Sequence, residues 1–368
     1  MANASNCDDE FAVRLVELRP ALHRYASRMV GCRSPTAKMS CGRPSVSPDG
    51  GISSLEGDGY EPPSGRRTLA SERSQANRAH YELIARSGNS SITPDEAREL
   101  GDAQWTTLTG EPGGVDYIEE DVAGRTGMWL VPKVHEQGPV LLCVHGGGFV
   151  GGSIFTHRKM YGHLAKQARL RALLVGYSFI DQEPWPTQLD QWTNAFLWLV
   201  GSGVEPSRIV LVGDSAGALL VIDSLIRMRA ERLPVPRAAM CISGWFDMSA
   251  AGASYEANDA RDPFFKREAV RYLASLVARG KDPATPEFSP VHANLEGLPR
   301  LYLQVGGDET LLDDSRALTA RARDAGVRAE LEIFPEMLHS FQMMAGRAPE
   351  ADEAIAKLAR WARLTLGY

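Results

Sequence analysis

A serine between two glycines is the first group in the sequence that could act as a nucleophile. Ser215 lies in the segment Gly213-Asp-Ser-Ala-Gly217, with the apolar run RIVLVG before it and the segment SAGALLVIDSLIRMRAE after it. Glycines two positions on either side of a serine permit a sharp turn from strand to helix, which strains the serine backbone and exposes its hydroxyl above a sheet. The pattern therefore predicts Ser215 at a helix N-terminus, where backbone N–H groups and the positive end of the helix dipole face it.

A base and a carboxylate follow later in the chain. A serine hydroxyl needs a neighbouring base to take its proton, and that base needs a carboxylate to orient it. Asp308 comes directly after the apolar run RLYLQVGG, and His339 follows the next run, AELEIF. Because the carboxyl ends of parallel strands meet at one edge of a sheet, we predict a catalytic triad of Ser215, Asp308 and His339 in that order. The competing carboxylates and histidine are Asp247, Asp313, Asp314 and His292.

A glycine-rich loop, HGGGFVGG, follows the apolar run PVLLCV. Serine attack on a carbonyl group creates an oxyanion, which needs preorganised hydrogen-bond donors. We predict that the backbone N–H groups of Gly146, Gly147 and Ala216 form this oxyanion hole. His145 is expected to support the loop by hydrogen bonding rather than to act as a second base. The loop lacks the spacing and the lysine of a phosphate-binding P-loop.

Three aromatic residues near these segments are candidates for the wall of a substrate pocket. Phe149, Trp185 and Trp245 could contact the acyl or the alcohol part of a substrate. Packing in the core is the alternative for each of them.

Apolar runs and helical segments alternate from about residue 111 to the end of the chain. This alternation predicts an α/β fold with a mostly parallel central sheet flanked by helices. The interval at about 250–285 is too long for a simple crossover and is expected to contribute to a helical cap. Residues 73–110 are expected to supply two further cap helices, one of them with Thr93 as its N-cap. Residues 111–368 form the predicted catalytic domain.

The leader, residues 1–72, differs in composition from the rest of the chain. A short amphipathic stretch, residues 11–31, precedes a segment dense in Ser, Pro and Gly. Such a segment buries too little apolar surface to offset its ordering entropy, so we expect the leader to be poorly ordered or extraneous. Residues 11–31 faintly resemble the first helix of an extracytoplasmic-function sigma factor, but the rest of that domain is absent.

Charge and hydropathy exclude several classes of protein. The net charge of −6 argues against a nucleic-acid partner. No apolar run reaches the length of about 18 residues that spans a bilayer, and the first residues lack a signal-peptide pattern. We therefore expect a cytoplasmic protein without stable membrane insertion. The five cysteines show no C-x-x-C spacing, so neither a disulfide framework nor a zinc site is indicated.

Four segments together resemble the hormone-sensitive-lipase-like family of α/β-hydrolase carboxylesterases. They are HGGGF at 145–149, GDSAG at 213–217, residues 289–315 and EMLHSF at 336–341. The resemblance implies an α/β-hydrolase fold with a helical cap, ester hydrolysis through an acyl-enzyme, and no metal or organic cofactor. One departure is the segment YSFIDQEPWP. It keeps the tyrosine and the two prolines of the family's Tyr-Arg-Leu-Ala-Pro-Glu type of segment but lacks the arginine and the Ala-Pro.

The sequence thus predicts a serine carboxylesterase of short- to medium-chain esters. Some relatives in this family hydrolyse lactones, and the chain looks most like bacterial members of that sort. A binding module on the same fold is the first alternative, as in plant hormone receptors that have lost the catalytic histidine; the presence of His339 favours catalysis. An amidase with the same triad is the second alternative. A homodimer and the identity of the physiological substrate are left open.

Overall fold

An eight-stranded sheet forms the centre of the computed structural model, which describes residues 70–85 and 93–368. Nearly all of the predicted leader lies outside the described residues. The strands lie in the order β1-β2-β4-β3-β5-β6-β7-β8. Their bounds are β1 Val115–Val122, β2 Arg125–Pro132, β3 Val140–Val144, β4 Arg171–Val175, β5 Ile209–Asp214, β6 Ala238–Ile242, β7 Arg300–Gly306 and β8 Ala329–Phe334.

The sheet is parallel from β4 to β8, while β1 and β2 form an antiparallel hairpin that pairs with β4. Every residue of β3, β5 and β6 is buried, because helices cover both faces of the parallel region. The register pairs Val144 with Gly213, and Gly213 with Cys241. The carboxyl ends of β3, β5 and β6 therefore lie side by side, so the loops that follow them meet at one edge.

Helices pack on both faces of the sheet. Among the described residues they are α1 Glu72–Ala85, α2 Pro94–Trp105, α3 Ile154–Ala168, α4 Thr187–Gly201, α5 Ala216–Ala230, α6 Ser254–Ala257, α7 Arg267–Ala278, α8 Leu312–Asp324 and α9 Pro349–Leu366. Short 3-10 helices cover Pro206–Arg208, Pro290–His292 and Phe341–Met344. Residues of α4, α5 and α8 join one apolar cluster, and residues of α3 and α9 join the other. The predicted fold class is confirmed.

Successive side chains of a strand enter opposite clusters. Leu142 belongs to the cluster with α5, whereas Leu141 and Cys143 belong to the cluster with α3. This alternation follows from the two-residue period of a strand. Cys143 and Cys241 are buried free thiols in β3 and β6. None of the helices that the structure describes is long and apolar enough to cross a membrane.

The N-terminal helices and the segment between β6 and β7 meet above the carboxyl edge of the sheet. The Tyr81 ring lies edge-on to Trp105 and to Phe264, with centroids 5.5 Å and 6.2 Å apart. Thr93 caps α2, and Glu96 completes a capping box with it, which confirms the predicted N-cap. Such a cap stabilises a helix by about 1 kcal/mol. One aromatic cluster thus connects α1, α2 and the segment that precedes α7.

Candidate active site

Ser215 occupies the sharp turn between β5 and α5. Its φ of 52° and ψ of −118° lie outside the regions that serine ordinarily adopts, which confirms the predicted strained conformation. A Cβ atom on Gly213 would lie 2.4 Å from the carbonyl oxygen of Gly217, and one on Gly217 would lie 2.6 Å from that of His145. Both glycines are therefore required by close backbone approach. The Ser215 N–H donates to the Ile242 carbonyl at 2.9 Å, which ties the turn to β6.

His339 lies in the loop after β8 and contacts a buried carboxylate. Its Nδ1 is 2.8 Å from Oε2 of Glu309. The other oxygen of Glu309 accepts hydrogen bonds from the Ser243 hydroxyl, at 2.9 Å, and from the Gly306 N–H. These bonds fix the carboxylate, and a carboxylate on Nδ1 holds the neutral ring in the tautomer whose Nε2 is free to accept a proton.

The structure describes both Asp308 and His339 and has no hydrogen bond between them. The predicted pairing of these two residues is therefore wrong, because Glu309 takes the position on Nδ1 of His339. The Asp308 carboxylate instead accepts from Arg78 at 2.6 Å and from Arg261 at 3.4 Å. Two acids follow β7 in succession, and the turn directs the first toward the cap and Glu309 toward the histidine. The adjacent pair of acids was the available signal, but spacing alone does not say which of them faces inward.

The competing residues have other partners. Asp314 accepts from the backbone N–H groups of Phe246 and Asp247, at 3.0 Å and 2.9 Å. Asp313 accepts from the Ser254 N–H at 2.8 Å. His292 lies 3.9 Å from Asp247. These acids organise the loop after β6 and the start of α8.

Burial and charge act in opposite directions on the pKa of His339. Burial alone would lower this pKa, but the hydrogen bond and the negative charge of Glu309 raise it above the usual value. Burial raises the pKa of Glu309, and the contacts with His339 oppose that rise. Glu309 therefore stabilises the protonated form of the His339 imidazole, which is the form that results when this ring accepts a proton as a base.

Residues of α1 and of the segment before α7 pack directly on the loop of His339. The Tyr81 hydroxyl lies 3.0 Å from the His339 carbonyl oxygen and 3.2 Å from that of Ser340. The Phe265 ring lies against the imidazole of His339, with centroids 4.4 Å apart. His339 is thus buried between Glu309 on one side and the side chains of Tyr81 and Phe265 on the other.

The glycine loop has a conformation that side chains would prevent. Gly147 and Gly148 have φ angles of 119° and 62°. A Cβ atom on Gly147 would lie 1.9 Å from the Gly151 carbonyl oxygen. One on Gly146 would lie 3.0 Å from the Cβ of Ser215, so the loop passes directly beside the serine.

His145 has the contacts of a residue that supports this loop. Its Nδ1 lies 2.7 Å from the Gly146 carbonyl oxygen, and its ring stacks on Tyr177 with centroids 4.3 Å apart. Burial, together with the nearby His157, lowers the pKa of His145 to about 3. The ring is therefore neutral at physiological pH.

The hydrogen bonds of the glycine loop show which of its N–H groups already have an acceptor. The Gly146 N–H is directed at Nε2 of His157, 3.3 Å away, so it is already engaged. In the part of the chain that the structure describes, the N–H groups of Gly147 and Gly148 have no acceptor. Ala216 begins α5, where the first N–H groups have no partner within the helix. The N–H groups of Gly147, Gly148 and Ala216 are thus without an acceptor among the described residues, and the sequence-based set omitted Gly148.

The three predicted pocket aromatics form one cluster. Phe149 is completely buried, and its ring centroid lies 5.6 Å from that of Trp185 and 6.3 Å from that of Trp245. This burial favours the packing role for Phe149. Trp245 follows β6, and its backbone N–H donates to the Ser215 carbonyl oxygen at 3.3 Å. The indole nitrogen of Trp245 is buried without a partner among the described residues.

The segment that lacks the family's arginine is held by glutamine side chains. Gln191 accepts from the Ser178 N–H at 2.8 Å and donates to Glu183 at 3.1 Å. Gln188 donates to the Glu183 carbonyl oxygen at 2.7 Å. These bonds fix the loop that carries Tyr177.

Comparison with known proteins gives a consistent result. A family described as alpha/beta hydrolase fold matches residues 141–343. An acetyl-hydrolase of Streptomyces hygroscopicus is 33% identical over 287 residues, which are 73% of this chain and 96% of that protein. An ethyl acetate hydrolase of Pseudomonas putida is 27% identical over 280 residues, covering 72% of this chain and 88% of that protein. The crystal structure of an esterase from the bacterial hormone-sensitive lipase family superimposes with a TM-score of 0.77 at 37% identity, covering 82% of this chain and all of the other.

The two adjacent acids can be distinguished by the titration of His339. Replacing Glu309→Gln should lower the pKa of His339, because the effect of burial is then no longer opposed by a negative charge. The matched Asp308→Asn change should have a smaller effect, since Arg78 and Arg261 bind that carboxylate. Ring resonances followed by NMR against pH, assigned by their loss in His339→Ala, measure both shifts. A larger shift in Asp308→Asn would contradict the assignment.

Proposed function

Because this chain belongs to the α/β-hydrolases related to hormone-sensitive lipase and is a carboxylic ester hydrolase, we propose that it acts through a triad of Ser215, His339 and Glu309. Two features carry the proposal together: a strained serine at the N-terminus of α5, and a buried histidine whose Nδ1 lies 2.8 Å from a carboxylate oxygen. Glu309 takes the role that the sequence suggested for Asp308.

In the first half of the proposed reaction, Ser215 attacks the ester. Its Oγ bonds to the carbonyl carbon while Nε2 of His339 takes the hydroxyl proton, and Glu309 stabilises the imidazolium. The carbonyl oxygen becomes an oxyanion that accepts hydrogen bonds from the N–H groups of Gly147, Gly148 and Ala216. The intermediate then collapses: the bond to the alcohol oxygen breaks, His339 gives its proton to the leaving alcohol, and an acyl-enzyme remains.

Water releases the acyl group in the second half. His339 takes a proton from the water as its oxygen bonds to the acyl carbon, and the same donors stabilise the second oxyanion. Collapse breaks the bond to Ser215 Oγ, which regains a proton from His339. The carboxylic acid leaves, and the resting enzyme is restored without a cofactor.

Esters of short carboxylic acids are the proposed substrates. Ser215 and His339 are almost completely buried, and the aromatic cluster of Phe149, Trp185 and Trp245 lies beside the serine turn. Such surroundings leave little length for an acyl chain. An acetyl-hydrolase and an ethyl acetate hydrolase among the relatives agree with small acyl groups. Lactones are the second class to test, because an internal ester presents the same carbonyl chemistry.

The first prediction concerns the nucleophile. Ser215→Ala should lower kcat for p-nitrophenyl acetate and butyrate by about 10⁴-fold or more, because it removes the atom that forms the acyl-enzyme. Circular dichroism and Tm should stay close to wild type. Ser202→Ala, at the exposed end of α4, is the control and should keep full activity. Full activity in Ser215→Ala would refute the proposed function.

The second prediction concerns the carboxylate. Glu309→Gln should lower kcat by about 10³- to 10⁴-fold, while Asp308→Asn should change it only a few-fold. The base must be neutral to act, and the pKa of His339 is raised from 6.5. Activity of the wild type should therefore rise with pH through a value above 6.5, and this limb should move to lower pH in Glu309→Gln. Initial rates from pH 4 to 9 measure this pH dependence. A larger loss of kcat in Asp308→Asn than in Glu309→Gln would assign the role of the triad carboxylate to Asp308.

The third prediction concerns the substrate. With p-nitrophenyl esters of two to sixteen carbons, kcat/KM should be highest for short chains and fall steeply for long ones. Trp245→Ala should extend the range, because it removes a large ring that packs near Phe149, from a residue whose backbone N–H bonds the Ser215 carbonyl oxygen. Simple lactones and the matching p-nitroanilides belong in the same series. A maximum at long chains would refute the short-chain proposal, and faster cleavage of anilides would favour an amidase.

A further inference from the structure

A second histidine, His157, contacts the glycine loop beside Ser215. It lies in the first turn of α3 and is 6% exposed. Its Nε2 lies 3.3 Å from the Gly146 N–H nitrogen and 3.1 Å from Oδ2 of Asp214. The proposed reaction steps assign no role to this ring, although it meets both the oxyanion loop and the residue just before the nucleophile.

The hydrogen bonds of Thr156 select the tautomer of His157. The Thr156 hydroxyl donates its one proton to the Ser153 carbonyl oxygen, at 2.8 Å. Its oxygen can then only accept from Nδ1 of His157, 2.7 Å away. The neutral ring therefore carries its proton on Nδ1, and a bare Nε2 accepts the Gly146 N–H. A proton on Nε2 would instead bond Asp214 and release that N–H.

Other side chains hold the carbonyl side of Gly146, in the next peptide group along the chain. Its carbonyl oxygen lies 2.7 Å from Nδ1 of His145 and 3.4 Å from the Tyr177 hydroxyl. Glycines have no side chain to restrict their backbone, so the loop depends on these external contacts. His157 supplies the contact on the N–H side, directly before Gly147 and Gly148.

Asp214 lies beside this ring and bonds the loop of His339. Its Oδ1 accepts from the Ser340 hydroxyl at 2.5 Å. The Ser340 N–H donates to the Ser243 hydroxyl oxygen at 2.9 Å, and Ser243 in turn donates to Glu309. A chain of buried hydrogen bonds thus joins the serine turn, the loop of His339 and Glu309, and the ring of His157 lies beside its Asp214 end.

We propose that His157 is a positioning residue for ester hydrolysis, which holds the Gly146 N–H so that the N–H groups of Gly147 and Gly148 face the oxyanion. The inference rests on the proposed function. The contact between His157 and the Gly146 N–H should stabilise the transition state rather than the bound substrate, because the oxyanion forms only in the transition state. Loss of the contact should lower kcat and leave KM nearly unchanged.

Three variants test this role. His157→Phe keeps the ring shape but removes both nitrogens, and should lower kcat by about 10- to 100-fold with KM within about 2-fold. His157→Gln retains a carbonyl oxygen near the position of Nε2 and should recover most of the loss. His163→Phe is the matched control, since His163 lies on the same helix and bonds the Gly110 carbonyl oxygen, away from the loop. It should stay within about 2-fold of wild type.

Affinity for a transition-state analogue separates positioning from loss of structure. A trifluoromethyl ketone forms a tetrahedral adduct with the serine, so its inhibition constant should rise in His157→Phe by the same factor as kcat/KM falls. Measurements are made well below Tm, with active sites counted by titration. Should His157→Phe not fold, His157→Asn replaces it, because the shorter amide reaches Thr156 but not Gly146.

The outcomes are distinct. Unchanged kcat and analogue affinity in His157→Phe or His157→Asn would overturn the inference, as would a loss explained entirely by fewer folded active sites. Failure of His157→Gln to recover activity would also count against it. These results are separable from the nucleophile test: if Ser215→Ala stays active, the proposed function fails whatever His157 does, whereas an inactive Ser215→Ala with a fully active His157→Phe rejects only this inference.

Discussion

The close approach of three backbone segments around Ser215 is the constraint on which the rest of the site depends. These segments are the end of β3, the end of β5 and the start of α5. They lie so close together that there is no room for a Cβ atom at position 213 or 217. This packing holds the serine in a strained conformation and brings the glycine loop beside it. Strain of this kind costs about 1 to 3 kcal/mol and persists only where the surrounding structure enforces it. The fully buried strands beneath the turn provide that enforcement.

Two adjacent acids after β7, Asp308 and Glu309, contact different parts of the molecule. Glu309 faces inward to His339, and Asp308 faces outward to two arginines of the cap, Arg78 and Arg261. A buried carboxylate is unfavourable unless hydrogen bonds or an opposite charge compensate it. Hydrogen bonds from Ser243 and Gly306 compensate Glu309 beside His339, and two arginines compensate Asp308.

Much of this arrangement could be predicted from the sequence, because its signals are local. The run RIVLVG followed by GDSAG requires a strand, a tight turn and a helix, and the structure has them at Ile209–Asp214 and Ala216–Ala230. Thr93 was recognisable as an N-cap since capping depends on residues three positions apart. Alternating strands and helices predicted the parallel sheet for a similar reason. The contacts of His157 with Gly146 and Asp214 gave no such signal, because those residues are distant in sequence and no local pattern links them.

The sequence by itself determined which chemical groups are present and which loops carry them: a serine in a glycine-flanked turn, acids after one strand, a histidine after the next and a run of glycines after a third. Only the tertiary structure decided which atoms of those loops meet. It directed Glu309 rather than Asp308 to His339, and it engaged the Gly146 N–H with His157 while the N–H groups of Gly147 and Gly148 stayed open. The physical reason is that residue type and strand order are local properties, whereas the direction of a side chain or an N–H group within a turn is set by what packs against that turn from elsewhere in the fold.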